Sequence, residues 1–190
     1  MRNLQSIVKR GNIVESVHEI KCLVIDKNSR TLFSTNNNLD LIYPRSSIKI
    51  FQALPLILSN GNKKFRLTKK MLAMACSSHC GEEQHLKILN LWLKKIGISV
   101  DDLKCGSHNP INQNAADKLL LNGNKPNQLH NNCAGKHLAM ITGCLSNNMK
   151  YKRYLDFHHP YQKLIRNMLE YFMGTSIKNK CIGVDGCSAP

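Results

Sequence analysis

Apolar and polar positions change rhythm several times along this chain. Residues 13 to 35 favour β-structure: Val17–Ile25 is rich in β-formers, Asp26-Lys27-Asn28-Ser29 carries turn chemistry, and Thr31-Leu32-Phe33-Ser34 returns as a second strand. After Pro44 the rhythm becomes helical. Ile50, Phe51, Ala53, Leu54, Leu56, Ile57 and Leu58 make that segment apolar almost all round, which predicts a buried helix kinked or ended at Pro55. Thr68 is a good N-cap for a helix over Lys69–Cys76. The clearest amphipathic pattern is Glu82–Ile96, where Leu86, Leu89, Leu93 and Ile96 recur at helical spacing and Gly97 stops the run. Trp92 belongs to the expected core. Ser99 caps a single turn through Leu103, Cys105–Asn114 reads as loop, and a short helix follows to Leu121. Residues 122–127 are loop again, and Gly135–Leu145 is helical. Pro160 fits the first position of a helix that runs to Met173 and ends at Gly174. Cys181-Ile182-Gly183-Val184 reads as a short strand. No repeat or linker divides the chain, so 1–190 is expected to be one domain.

Composition narrows the class. The hydrophobic share of 42% and charged share of 21% are ordinary for a globular protein with a real core. The formal charge of +15 is not ordinary, and it raises the question of a nucleic-acid partner. That partner would need clustered Lys and Arg. Here the basic residues are scattered among asparagines, as in Asn36-Asn37-Asn38 and Asn147-Asn148-Met149-Lys150, with no basic run longer than two. The pattern fits a solvated surface, and no nucleic acid is expected. The stretch Met1–Arg10 has no apolar leader region, and no apolar run is long enough to span a membrane. We therefore expect a cytoplasmic protein with no membrane partner. In that compartment the eight cysteines stay reduced and point to metal or catalysis before disulfides.

Four stretches carry candidate chemistry. In Arg45-Ser46-Ser47-Ile48-Lys49 a serine stands three residues before a lysine, so a helix starting after Pro44 places both on one face. Serine is a poor nucleophile until a base takes its proton, and a lysine is that base once burial or a nearby cation has removed its own. The bland alternative is an exposed helix start with Ser46 or Ser47 as cap. Cys76-Ser77-Ser78-His79-Cys80-Gly81-Glu82-Glu83-Gln84-His85 joins two expected helices. Its Cys76, Cys80, His79 and His85 are potential metal ligands, or else simply a helix end with a buried cysteine. Asn131-Asn132-Cys133-Ala134-Gly135-Lys136-His137 puts small residues and a cysteine at a helix start, where amides receive an anion and a thiol is acidified. Gly183-Val184-Asp185-Gly186-Cys187-Ser188-Ala189-Pro190 ends an expected strand with an acid and a thiol.

Together these stretches resemble the Rhizobium-type L-asparaginases, the asparaginase II family. Its hallmarks Arg-Ser-x-x-Lys, Cys-x-Ser-His-x-Gly-Glu, Asn-Cys-x-Gly-Lys-His and Asp-Gly-Cys-x-x-Pro stand here at Arg45–Lys49, Cys76–Glu82, Asn132–His137 and Asp185–Pro190, in that order. The resemblance implies an α+β fold like the serine β-lactamases and penicillin-binding proteins, a sheet with packed helices. It implies hydrolysis of L-asparagine to L-aspartate and ammonia, with Ser46 as nucleophile, Lys49 as its base and Ser78 as a second active-site serine. It also implies zinc held by Cys133, Lys136 and Cys187, apart from the Ser46 and Lys49 pair. Arg45, His79, Asp185 and Gly135 are assigned to substrate binding. Family chains continue beyond the Asp-Gly-Cys motif, so the C-terminal strands of the sheet are expected to be missing here. A homodimer, or association with a C-terminal fragment, would then complete the protein. A glutaminase, a β-lactamase-like acyl hydrolase and an inactive zinc-binding remnant are the competing readings.

Overall fold

A computed structural model describes residues 4–35 and 42–190; the Asn36-Asn37-Asn38 run and Met1–Asn3 lie outside them. The architecture is α+β, with seven α-helices and two small antiparallel sheets among the described residues. The chain divides into two compact units, Met1–Tyr43 and Pro44–Pro190.

The first unit is made of two hairpins. β1 (Leu4–Arg10) pairs with β2 (Ile13–Ile20), and β3 (Leu23–Ile25) pairs with β4 (Thr31–Ser34). β1 was absent from the expected pattern, because Leu4–Arg10 carries no sustained alternation. Gly11, at φ +60°, supplies the left-handed turn that folds it back on β2. The second hairpin turns at Asp26, whose carboxylate accepts the N–H groups of Asn28 and Arg30, both at 2.8 Å.

The second unit is helical: α1 (Lys49–Leu58), α2 (Gly61–Lys64), α3 (Lys69–Cys76), α4 (Glu83–Ile96), α5 (Gln113–Leu121), α6 (Ala134–Ser146) and α7 (Pro160–Met173). Local chemistry sets the ends. Thr68 Oγ1 accepts the Met71 N–H, Gly97 closes α4 at φ +68°, and Pro160 opens α7 with Gly174 left-handed after it. α6 is the hub, packing against α1, α2, α3, α4 and α7. Every residue from Ala134 to Cys144 is buried, so this helix has no polar face to show. Thr142 Oγ1 on it takes the Trp92 indole N–H at 3.0 Å. Trp92 is fully buried, as its position in the pattern implies.

Two expectations need correction. α1 is not buried all round: Lys49, Gln52, Ala53, Pro55 and Leu56 face inward, while Ile50, Ile57 and Leu58 are exposed. Pro55 sits within the helix instead of ending it. Cys181–Val184 is no strand, since it has no ladder partner among the described residues; a 3₁₀ turn, Asn179–Cys181, leads into extended chain with Val184 exposed.

Glycine sets how closely the hub is approached. A Cβ on Gly135 would meet the Met74 carbonyl of α3, and one on Gly143 would meet the Tyr161 ring of α7. Alanine raises helix propensity by about 1 kcal/mol, but overpacking of this kind costs about 1–3 kcal/mol. Gly135→Ala should therefore lower the thermal midpoint, because a backbone carbonyl cannot step aside as a side chain can. A midpoint equal to or above wild type would mean that α3 and α6 are not held this close.

Candidate active site

Four separated segments of the helical unit meet in one place. The first is the 3₁₀ turn Arg45–Ile48, which leads directly into α1. Ser46 is exposed there and Lys49 is buried behind it. The tight turn brings positions three apart to one side, yet the Lys49 amine passes Ser46 by. Lys49 Nζ bonds Ser78 Oγ at 2.7 Å and the Ser77 carbonyl at 3.0 Å, and Ser78 Oγ lies 3.2 Å from Ser46 Oγ. Ser78 thus stands between the pair that the spacing joins.

The second segment is the connection from α3 to α4. Ser78 is exposed on it, while His79 is buried. His79 donates its backbone N–H to the Asn132 carbonyl at 3.2 Å, and its Nδ1 accepts the Gly81 N–H at 3.1 Å. The ring proton therefore belongs on Nε2, which is buried without a partner among the described residues. Burial first, then His85 and Lys49, lower the His79 pKa to about 4, so the ring is neutral near pH 7.

The third segment enters α6. The buried Asn131 side chain accepts the Cys133 N–H at 2.9 Å and donates to the Cys105 carbonyl at 2.8 Å, which fixes the turn. Cys133 is the N-cap of α6 and Lys136 lies one turn on; both are buried. The fourth is the turn at 185–189. Asp185 Oδ1 accepts the N–H groups of Cys187 and Ala189 at 2.9 and 3.0 Å, and the Asp185 N–H reaches the Ala189 carbonyl at 2.9 Å. This turn meets α6 at Lys136, whose Nζ lies 2.9 Å from Cys187 Sγ and 3.0 Å from Asp185 Oδ2.

The charges are tightly linked. Burial alone would pull the Lys136 pKa down, but Cys187 and Asp185 outweigh it and hold it above the ordinary lysine value. Burial opposes ionisation of Asp185 too, yet its bonds with Cys187 and Lys136 bring it to about 2. The Cys187 side chain draws Cys133 down to about 6 against the effect of burial, with help from Lys136 and Lys49, and Cys133 in turn raises Cys187. The Lys49 charge also favours the Cys133 thiolate. The hydrogen bonds thus form two sets, Ser46–Ser78–Lys49 and Cys187–Lys136–Asp185.

The other expected site residues fall around this chain. Arg45 is exposed beside Ser46, in a left-handed conformation at φ +50°. Gly135 is buried in the first turn of α6, where packing on Met74 accounts for the missing Cβ. The His79 and His85 rings are 5.5 Å apart. Among the described residues, however, no group of three or more His, Cys, Asp or Glu side chains is arranged to hold a metal. The remaining candidate donors are the two thiols with the Lys136 amine. Positioning residues went unnoticed in the sequence. His108 Nε2 accepts the Asn132 N–H at 3.1 Å, and Tyr154 Oη takes the Lys104 N–H and meets His137 Nδ1 at 2.7 Å. The Asn131-Asn132 pair before Cys133 was the available signal for the first of these, since asparagine caps turns.

The family profile of L-asparaginase II matches residues 7–190, and the chain belongs to that family. The family is one of amidohydrolases acting on a small-molecule amide, asparagine. No curated protein matches the chain. No helix among the described residues is long and apolar enough to cross a membrane.

The depressed His79 pKa has a consequence for stability. Between about 4 and the ordinary 6.5 the unfolded chain binds a proton that the folded protein refuses. The contribution of neutral His79 is thus complete above that window and lost as pH falls through it. Thermal midpoints at constant ionic strength should drop across this range, and His79→Gln should flatten part of the slope. An unchanged slope in the variant would assign the proton to another group.

Proposed function

We propose that the protein hydrolyses L-asparagine to L-aspartate and ammonia through an ester on Ser46. The supporting observation is the relay Lys49–Ser78–Ser46, in which a buried amine is linked to an exposed hydroxyl through a second hydroxyl. Lys49, as the free amine this step needs, accepts the Ser78 proton as Ser78 accepts that of Ser46. Ser46 Oγ then attacks the side-chain amide carbon. In the tetrahedral intermediate Lys49 returns its proton to Ser78 as Ser78 gives its own to the amide nitrogen, since ammonia leaves only when that nitrogen is protonated. Water then takes the place of ammonia and hydrolyses the aspartyl ester. Arg45, beside Ser46 and open to solvent, is suited to the substrate carboxylate. The buried Nε2–H of His79, unpartnered among the described residues, is available as a donor to substrate. Asp185 holds Lys136, and the amides around Gly135 at the start of α6 are our choice for the oxyanion, worth about 3 kcal/mol for one good donor. We also propose a serine β-lactamase-like fold, in which the 3₁₀ turn with Ser46 and the start of α1 with Lys49 form the catalytic part.

Cys133, Cys187 and Lys136 are the groups that would hold zinc. Two buried thiols, with the buried Lys136 nitrogen 2.9 Å from one of them and one helical turn from the other, fit a three-ligand site with an open fourth position. Lys136 can serve only as the free amine, so metal binding must release its proton from between Cys187 and Asp185. Bound there, zinc would supply Lewis acidity beside the reacting amide. Purified protein should carry about one zinc per chain, in keeping with such a site, and Cys187→Ser should lose most of it. Undiminished zinc in that variant would remove Cys187 from the ligand set.

A second reading has an observation in its favour: Lys49 touches Ser78 directly, so Ser78 could be the nucleophile. Mass spectrometry after reaction with a slow asparagine analogue distinguishes the two. We expect the adduct on the peptide containing Ser46, and Lys49→Ala should cut ammonia release by on the order of 100-fold or more. An adduct on Ser78 would reverse the two serine roles, and wild-type turnover in Lys49→Ala would end the relay.

A further inference from the structure

The positive charge of the chain is not spread evenly. Between Asp40 and Glu82 the sequence holds no acidic residue, and Lys63, Lys64, Arg66, Lys69 and Lys70 crowd one short part of that stretch. Phe65 and the pair Leu67-Thr68 interrupt these cations, so no basic run longer than two marks them in the sequence. The fold keeps them together. They occupy the end of α2, the connection after it and the first two residues of α3, and all five are exposed. The connection is a closed turn: the Leu67 N–H returns to the Asn62 carbonyl at 2.8 Å, and the Arg66 N–H reaches the Lys63 carbonyl at 3.0 Å. A structural duty accounts for one of the five. Lys64 donates to the Leu145 carbonyl at 3.4 Å, at the C-terminal end of α6, where a helix dipole favours a cation. None of the other four meets a carboxylate among the described residues, whereas Arg10, Lys87, Lys152 and Arg153 each do. Lys69 and Lys70 open α3, the end at which the dipole opposes cations, and no acid stands in that first turn.

We infer that this corner is a docking surface for nucleic acid, held through backbone phosphates without recognition of the bases. Cations that crowd one another and lack carboxylates are matched by a polyanion, and each phosphate they neutralise releases condensed counterions. Arg66 can present two N–H groups to one phosphate, and the lysines act as point charges around it. A lipid surface of the same sign fits less well. Phe65 and Leu67 pack inward on the core, so the stretch 61–70 has no fully exposed apolar side chain to insert. The corner does not serve the small substrate either. Lys64 meets α6 at Leu145, whereas Lys136 lies near the start of that helix, roughly 14 Å away at about 1.5 Å per residue.

The test uses the full chain and a fluorescently labelled single-stranded RNA, with anisotropy read over a range of salt concentrations. One variant combines Lys63→Gln, Arg66→Gln, Lys69→Gln and Lys70→Gln. A second removes the same charge elsewhere, at exposed residues without a carboxylate partner: Lys94→Gln, Lys118→Gln, Lys125→Gln and Lys163→Gln. Wild type should bind the RNA at low salt, with affinity that falls steeply as salt rises. The corner variant should lose about tenfold or more in affinity at low salt, and its salt slope should shrink by about 2–3, since each phosphate contact on a single strand contributes about 0.7. The second variant should stay within about threefold of wild type, because its charges make no phosphate contact. Equal losses in the two variants would assign the binding to diffuse charge and overturn the inference. So would the absence of RNA binding in the wild type, or binding to phosphatidylserine vesicles in its place. Matching thermal midpoints in all three proteins keep a folding defect out of the comparison, and the readout does not depend on turnover of asparagine.

Discussion

The buried Lys136 ammonium is the constraint on which the site depends. A charge taken from water costs several kcal/mol unless it is paired and hydrogen-bonded. Lys136 is 2% exposed, on a helix buried from Ala134 to Cys144. Its two partners, Asp185 and Cys187, come from one five-residue turn. That turn has no strand to hold it and only a 3₁₀ turn before it. It stays in place because Asp185 organises the turn through its own backbone and at the same time neutralises Lys136. Helix and turn each leave a polar group that the other must satisfy.

The same economy runs through the rest of the site. Lys49 is buried on α1 and also has to be satisfied. It finds a carbonyl at Ser77 and a hydroxyl at Ser78, so the burial of one amine ties the start of α1 to the connection between α3 and α4. The exposed serines lie on the solvent side of this amine and the thiols on its inner side. A substrate can therefore reach the hydroxyls from solvent while the proton acceptor behind them is shielded from bulk water. The His79 backbone bond to Asn132 fastens the serine connection to the entrance of α6, and His108 holds Asn132 from the other side.

Much of the helical unit was legible because its ends are marked by local chemistry. Thr68, Gly97, Pro160 and Gly174 fix helix limits by hydrogen bonding or backbone freedom that does not depend on tertiary context. β1 was hidden because a strand's identity rests on its partner, and Leu4–Arg10 carries little alternation of its own. The β reading of Cys181–Val184 failed for the same reason in reverse: the residues favour a strand, but no strand among the described residues pairs with them. In α1, composition alone could not say which apolar residues face inward, since Ile50 and Leu58 are as hydrophobic as the buried Leu56. The site motifs were recognisable by type and order. The contact between Lys49 and Ser78 was not, because spacing along one turn tells nothing of what a flexible four-carbon chain meets beyond it.

That contact changes how the two sets of candidate residues relate. Sequence spacing treats Ser46 with Lys49 as one device and Cys133, Lys136 and Cys187 as another. Lys49 bonds Ser78 and also helps to hold the Cys133 thiol below its ordinary value, so it acts on both sets. A substitution at Lys49 will therefore be felt at the thiol as well as at the serines.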